Sequence, residues 1–149
     1  MDAHIERLDA MEIQCDLILF HPYDKWGFSK LPMDDALTYL EYVIRRYAAM
    51  PNIWWSLANE YDLLDYEMAD WEQFAEYLHE NEPWHHLLSC HQIVTPWDFN
   101  NKNTTHICHQ TGEVDQVGIW IRQFGKPLMI DETGYEGNIQ FDWGNLSAF

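Results

Sequence analysis

The sequence predicts an α/β fold in which a parallel sheet forms part of a barrel. Short apolar runs of strand length alternate with segments whose apolar residues recur at helical spacing, a pattern typical of parallel strands joined by crossover helices. About five strands are recognisable, but the chain has 149 residues, whereas a complete (β/α)8 TIM barrel needs about 250. We therefore expect a single incomplete barrel domain over residues 1–149, corresponding to roughly the third to seventh strands.

Five segments are predicted as strands because they are short apolar runs bounded by polar or turn-forming residues. The runs that begin at Asp16 and Ile53 are the clearest, and the one that begins at His86 is the weakest. The predicted strands cover residues 16–20, 53–58, 86–90, 105–109 and 127–132. A partial sheet has two unpaired edges, so self-association or pairing with missing barrel segments is expected there.

Four segments are predicted as amphipathic helices because their apolar residues lie three or four positions apart. Asp34 or Asp35 can cap the second helix, and Gly125 stops the fourth. The predicted helices cover residues 2–11, 34–49, 70–80 and 114–124. The tail, residues 134–149, has no clear periodicity.

The charge balance excludes some classes of partner. Eight Lys and Arg oppose 25 Asp and Glu, which gives a formal net charge of −17. Such a surface repels phosphate backbones and anionic lipids, so neither nucleic acid nor a membrane is expected as a partner. The first residues lack an apolar signal core, which predicts a cytoplasmic protein, or a secreted one if a signal peptide precedes this sequence.

Cysteine and histidine offer a competing interpretation. The three cysteines, Cys15, Cys90 and Cys108, cannot all pair within one chain, so reduced, buried thiols are expected. The tripeptide Cys-His-Gln occurs at 90–92 and again at 108–110. Because Cys and His are zinc ligands, a metal-dependent hydrolase is one alternative. No CxxC or HExxH spacing supports it, and we predict no metal and no cofactor.

Two glutamates end predicted strands and are the candidate catalytic residues. Glu60 closes the second strand and Glu132 the fifth. Catalytic groups of parallel α/β sheets collect at the carboxyl ends of the strands, so these two side chains can meet across one pocket. Paired carboxylates are what the cleavage of a glycosidic bond requires. In the plainer interpretation, Glu60 caps the following helix and Glu132 is a solvated charge.

The surroundings of the two glutamates suit different roles. A general acid must be protonated near neutral pH, and Asn59 beside Glu60 can hold a sugar hydroxyl without adding charge. A nucleophile must approach the anomeric carbon closely, and the small residues after Glu132 leave room for a sugar. Strand alternation predicts that Asp131 points to the other face. Glu136 is a rival for the catalytic role, but a loop fixes its position less well.

Three long phrases resemble the retaining glycoside hydrolases of clan A, and more closely their apiosidase-like group. The phrases are LILFHPYDKWGF (17–28), NIWWSLANEYD (52–62) and GKPLMIDETGYEGN (125–138). Clan A enzymes are (β/α)8 barrels with an Asn-Glu acid/base at the end of strand four and a nucleophilic Glu at the end of strand seven. The resemblance therefore implies that Glu60 is the acid/base and Glu132 the nucleophile of a double displacement on a plant-type or microbial polysaccharide or oligosaccharide.

Further residues near the strand ends are candidates for sugar binding. Tyr23 and Trp26 can stack on a sugar ring, and His21 and Asp24 can bind hydroxyls. In the clan A interpretation, His91, and either His109 or Gln110, would contact the sugar or orient Glu132; register leaves the last choice open. The full set of substrate-binding candidates is Asn59, His21, Tyr23, Asp24, Trp26, His91, His109, Gln110, Tyr135, Glu136 and Trp143.

A second hypothesis comes from a different class of protein. The first two strands and the eighth strand of a barrel are missing from the predicted set, and in such barrels these strands also contact substrate. Under this hypothesis, the chain is a non-catalytic carbohydrate-binding or structural remnant of a barrel.

Overall fold

The structure, a computed structural model, describes residues 1–133. Four helices and five strands alternate with three short 3-10 helices. In chain order they are α1 (Asp2–Asp9), β1 (Cys15–Phe20), α2 (Met33–Tyr47), β2 (Ile53–Ala58), α3 (Met68–Asn81), β3 (Leu88–Ser89), β4 (Ile107–Gln110), α4 (Val117–Phe124) and β5 (Leu128–Glu132), with the 3-10 helices at Phe28–Lys30, Tyr61–Leu63 and Val114–Gln116. The candidates Tyr135, Glu136 and Trp143 lie outside the described residues.

All the strand pairs of residues 1–133 are parallel. The strand order is β1-β2-β3 in one sheet and β4-β5 in a second. Hydrogen bonds join the two sheets, because the backbone N–H of Thr105 donates to the carbonyl of Leu88 (2.8 Å) and the Ser89 hydroxyl donates to the carbonyl of His106 (2.9 Å). The strands therefore follow one another in space in their chain order, as the predicted barrel segment requires.

The main core lies between the strands and the helices α2 and α3. Phe20 stacks on Phe74 at a centroid distance of 5.2 Å and meets Trp71 edge-on at 5.8 Å. All three side chains are at most 1% exposed. Replacing a buried aromatic residue of this size with alanine typically costs about 3–5 kcal/mol, so this cluster fixes the strands against the helices.

The starts of α2 and α4 differ from the prediction in an informative way. The N-cap of α2 is Pro32, so Asp34 and Asp35 lie in the first turn and neither caps the helix. There they still oppose the positive end of the helix dipole. The segment from Val114 begins as a 3-10 turn, and α4 proper ends as expected at Gly125, whose φ of +65° suits glycine.

The third strand is shorter than predicted. The carboxylate of Glu82 accepts hydrogen bonds from the backbone N–H groups of Trp84 (3.1 Å) and His86 (2.8 Å). These bonds hold residues 82–86 in a turn, so only Leu88–Ser89 remains to pair with β2.

Within the described residues, no helix is both long and apolar enough to cross a membrane.

Candidate active site

Both candidate catalytic glutamates lie at the carboxyl end of the strands. Glu60 follows the last residue of β2 by two positions, and Glu132 is the last residue of β5. His91 follows β3 by two positions, and Gln110 is the last residue of β4. Because the strands are parallel, these four side chains all belong to the same end of the sheet.

Glu60 has an unusual backbone conformation. Its φ of 46° and ψ of 57° lie in the left-handed region, which a residue other than glycine enters at a cost of about 1–3 kcal/mol. Its side chain is 5% exposed. The conformation is held from both sides, since the N–H of Glu60 donates to His91 Nδ1 (3.2 Å) and the N–H of Tyr61 donates to the carbonyl of His91 (2.9 Å).

Asn59 contacts the Glu60 carboxylate directly. Its side-chain amide Nδ2 donates to Glu60 Oε2 at 3.3 Å. Asn59 is half-buried, whereas Glu60 is buried, so the amide lies at the outer side of the carboxyl group. The Asn-Glu pair thus forms one hydrogen-bonded unit.

His91 connects the two glutamates. Its Nε2 lies 3.6 Å from Asp131 Oδ1 and 3.9 Å from Glu132 Oε2, while its Nδ1 accepts the bond from Glu60. The ring is 3% exposed. The backbone N–H of Glu60 and the carboxylate of Glu132 therefore approach the two nitrogens of one imidazole.

Asp131 does not point away from Glu132, and the expectation from strict alternation was wrong. His109 pairs with Ile130 while Gln110 pairs with Glu132, so the register shifts between His109 and Gln110 and Asp131 is the extra residue. A bulge of this kind redirects side chains. As a result, Asp131 and Glu132 both approach His91.

The carboxylate of Asp131 acts on Cys108 of β4 and on Asp16 of β1. The thiol of Cys108 donates to Asp131 Oδ2 (3.1 Å). Burial, and after it the charge of Asp131, raises the pKa of the Cys108 thiol well above its usual range. The same two causes raise the pKa of the Asp16 carboxyl group to about 6. Sequence analysis did not assign Asp16 to the site, although a carboxylate inside an apolar run is a recognisable signal.

His109 and Gln110 have different surroundings at the end of β4. The ring of His109 packs on Trp120 (centroids 4.6 Å) and Phe99 (5.1 Å), and its Nδ1 contacts Gln92 Nε2. Burial lowers the pKa of His109, which favours its neutral form. His109 therefore packs towards α4, although the charges of Asp131 and His91 also act on its ring, and Gln110 pairs with Glu132. Contact of either side chain with a sugar stays a prediction.

Two polar side chains of the loop after β1, Asp24 and His21, form hydrogen bonds within that loop. The carboxylate of Asp24 accepts hydrogen bonds from the backbone N–H groups of Ser29, Trp26 and Gly27, of which the Ser29 bond contributes most to a pKa lowered to about 2. His21 Nδ1 accepts a bond from the N–H of Tyr23. Asp24 is thus a loop-stabilising residue, and its contact with a sugar stays a prediction.

The aromatic side chains of the same loop are open to solvent. Trp26 is 85% exposed and Tyr23 is 61% exposed, as stacking on a sugar would require. Trp26 and His21 line a cleft of about 330 Å³ between β1 and α2, and neither Glu60 nor Glu132 lines it. Stacking by these side chains therefore stays a prediction.

Three further histidines, His85, His86 and His106, are close in sequence to the Cys-His-Gln tripeptides but lie in separate places. His86 bonds to Glu82, His85 stacks near His79, and His106 lies against Trp54. Among residues 1–133, no three His, Cys, Asp or Glu side chains are arranged to hold a metal ion.

Comparisons with known proteins identify the family and the fold of this chain. The family model described as "Apiosidase-like, catalytic domain" matches residues 1–148. A solved "putative glycoside hydrolase" from Bacteroides vulgatus is 36% identical and superposes with a TM-score of 0.91, over 98% of this chain and 30% of that chain. A glycoside hydrolase family 5 structure from the same organism is 18% identical with a TM-score of 0.70, over 91% of this chain and 34% of that chain. No curated protein matches the chain.

These matches confirm the predicted fold class. The family 5 structure is a (β/α)8 barrel, and its superposition on most of this chain shows that the chain is a partial barrel. The chain spans about a third of the length of each of the two solved structures.

Proposed function

Because the chain belongs to the apiosidase-like catalytic domain family, we propose that it carries the catalytic centre of a retaining glycoside hydrolase. The observation that supports this most directly is that the Glu60 backbone and the Glu132 carboxylate both approach His91 at the carboxyl end of the strands. Glycoside hydrolysis typically requires two carboxyl groups that flank the scissile bond.

The proposed reaction has two displacements. Glu132 attacks the anomeric carbon and forms a covalent glycosyl-enzyme while Glu60, protonated, donates its proton to the leaving oxygen. Glu60 then takes a proton from water, which attacks the anomeric carbon and releases the sugar with its configuration retained. A retaining enzyme holds its two carboxyl groups about 5–5.5 Å apart, and an inverting enzyme about 6.5–9.5 Å apart.

We assign the substrate class by charge and surface chemistry. A net charge of −17 disfavours anionic ligands, so we propose a neutral oligosaccharide or polysaccharide of plant or microbial origin, cleaved at an O-glycosidic bond. Asn59, hydrogen-bonded to Glu60, and Gln110, beside Glu132, are the polar side chains that we propose to contact sugar hydroxyls.

The test replaces the nucleophile and then restores its chemistry. Glu132→Ala should lower the hydrolysis of aryl glycosides to background without unfolding the protein, and azide should restore turnover by attacking in its place. Circular dichroism checks folding, and Glu72→Ala, at an exposed position on α3, is the matched control. Full activity of Glu132→Ala would contradict the assignment and would make Glu136 the next residue to test.

A second candidate function is favoured by the exposed Trp26, which lines a cleft that neither Glu60 nor Glu132 lines. In this alternative the protein binds carbohydrate without cleaving it. Isothermal calorimetry and product analysis on the same panel of cell-wall oligosaccharides distinguish the two functions, because binding without product would favour the alternative.

A further inference from the structure

We propose that Val94 forms an apolar wall of the subsite that receives the leaving group, and that Asp62 is the positioning residue that fixes this wall beside Glu60. The inference rests on the proposed function, in which Glu60 protonates the leaving oxygen. It assigns a chemical class to the leaving group, which must present an apolar face, such as the C–H face of a second sugar or an aryl ring.

Residues 93–95 are attached to the residues that directly follow Glu60. The Asp62 carboxylate accepts hydrogen bonds from three consecutive backbone N–H groups, those of Ile93 (2.9 Å), Val94 (2.8 Å) and Thr95 (2.6 Å). The Tyr61 hydroxyl donates to the carbonyl of Thr95 (3.0 Å). We call these four bonds the Asp62 clamp. Because hydrogen bonds to a carboxylate are stronger than those between neutral groups, the clamp holds the segment 93–95 in one position.

The Asp62 clamp lies on the side of the site that belongs to Glu60. The segment 93–95 follows β3, which pairs with β2, whereas Glu132 ends β5, which pairs with β4. The clamp binds this segment to the residues after β2 and so directs it away from β5. In the proposed reaction the acid/base meets the leaving oxygen and the nucleophile meets the opposite face of the anomeric carbon. Val94 is therefore on the leaving-group side.

Two apolar side chains are exposed on the residues that the Asp62 clamp joins. Val94 is 78% exposed, and Leu63, which follows Asp62, is 48% exposed. The N–H of Leu63 donates to the carbonyl of Glu60 (3.0 Å), so both side chains stand on main chain that is fixed near the acid/base. A single exposed apolar residue is ordinary, but a main chain fixed in advance lowers the entropy cost of a contact with a ligand.

A wall of this kind acts in one of the two displacements only. It contacts the leaving group while the bond to the anomeric carbon breaks, and it has no such contact in the glycosyl-enzyme, from which the leaving group has departed. A glycosyl fluoride carries a single atom as its leaving group and is too small to reach the wall. Substrates with the same sugar and different leaving groups therefore separate this role from a general effect on catalysis.

The test compares an aryl glycoside with the glycosyl fluoride of the same sugar, chosen as the one that the parent protein hydrolyses fastest as its aryl glycoside. Val94→Ala should lower kcat/KM for the aryl glycoside about 10-fold, as expected for methyl groups removed from a substrate contact, and should leave the fluoride at the parental value. Val94→Ile should retain activity on both. Met11→Ala, at an exposed position before β1, is the control and should change neither.

Asp62→Ala tests the positioning role. Without the Asp62 clamp, Val94 is no longer held, so this variant should show the same selective loss on the aryl glycoside. Adding Val94→Ala should then cause little further loss, because the two substitutions remove one contact. A merely structural role of Asp62 would lower kcat/KM for both substrates. That result, or equal rates of Val94→Ala and the parent on the aryl glycoside, would overturn the proposal.

A binding measurement keeps this inference separate from the proposed function. In protein with labelled valine methyl groups, plant cell-wall oligosaccharides should shift the Val94 signals and leave those of the buried Val43 in place; Val94→Ala identifies its signals by their loss. If the parent binds but hydrolyses nothing, the proposed function fails, while shifted Val94 signals still support the sugar contact. Unshifted Val94 signals in the saturated complex would overturn the inference, and a parent that neither binds nor hydrolyses the panel would overturn both.

Discussion

The negative charge of Asp131 on β5 acts on the carboxyl group of Asp16 on β1, although these are the last and the first strands that the structure describes. The interaction requires the strands to curve, so that side chains from both ends of the strand order approach one another. Water reaches the Asp16 side chain, yet enough protein surrounds the carboxyl group for burial to raise its pKa to about 6, with Asp131 adding to the shift.

Replacement of Asp16 should stabilise the protein in a pH-dependent way. Since the folded-state pKa is about 6 and the usual value is 3.8, folding favours the protonated acid; its stabilising effect is complete below about pH 3.8 and is lost as the pH rises through 6. Asp16→Asn should therefore raise the free energy of unfolding at pH 7.5 by about 1 kcal/mol or less, a value reduced by solvent screening, and should have little effect at pH 3.5. Urea unfolding at both pH values measures the difference.

Asp65→Asn, at an exposed loop position, serves as the control for the Asp16 experiment. An equal gain for Asp16→Asn at both pH values would show that packing, rather than charge, explains it.

Asp62 should show the opposite dependence on pH. Burial opposes ionisation of Asp62, but hydrogen bonds from the backbone N–H groups of Thr95 (2.6 Å), Ile93 (2.9 Å) and Val94 (2.8 Å) outweigh it and lower the pKa. Stability from a lowered pKa is present above the usual value of 3.8 and is lost as the pH falls below it. Asp62→Ala should therefore cost about 1–2 kcal/mol at pH 7 and less at pH 3, as measured by chemical denaturation.

The same substitution should loosen the segment 93–95. Hydrogen exchange of these three amides should quicken in Asp62→Ala at pH 7, while amides in α2 exchange at the parental rate. Unchanged protection of residues 93–95 would mean that Asp62 does not hold this segment.

The three thiols should react with a cysteine reagent in a fixed order. Burial raises the pKa of each thiol, but Cys15 is half-buried whereas Cys90 is 0% exposed and Cys108 is 3% exposed. Because the thiolate is the reactive form, we expect slow labelling of Cys15 in the folded protein and labelling of Cys90 and Cys108 only in denaturant. Mass spectrometry of peptides identifies the sites, and Cys15→Ser should abolish the folded-state signal. Labelling of Cys108 in folded protein would contradict this order.

Strands with continuous apolar runs could be predicted from the sequence, but those that depend on side-chain hydrogen bonds could not. The second strand, Ile53–Ala58, has the predicted bounds, and the first begins one residue earlier at Cys15. The third strand is shortened by the Glu82 carboxylate, which binds backbone groups two and four residues along the chain. Composition carries little information on a bond of this kind, because an exposed and a buried glutamate look the same in sequence.

The candidate site could likewise be predicted from the sequence only in part. The location of Glu60 and Glu132 at strand ends follows from hydrophobic patterning, since each run stops where the polar residues start. The approach of Asp131 to His91 depends on a register shift in β5, and a one-residue shift leaves no trace in an apolar pattern of five residues.

The left-handed backbone at position 60 has a consequence for how variants there should be interpreted. A glutamine retains the shape of the side chain but not its proton, whereas a glycine relaxes a conformation that all other residues resist. Kinetic losses at this position will therefore combine a change in acidity with a change in main-chain geometry, and only isosteric replacements will report on acidity alone.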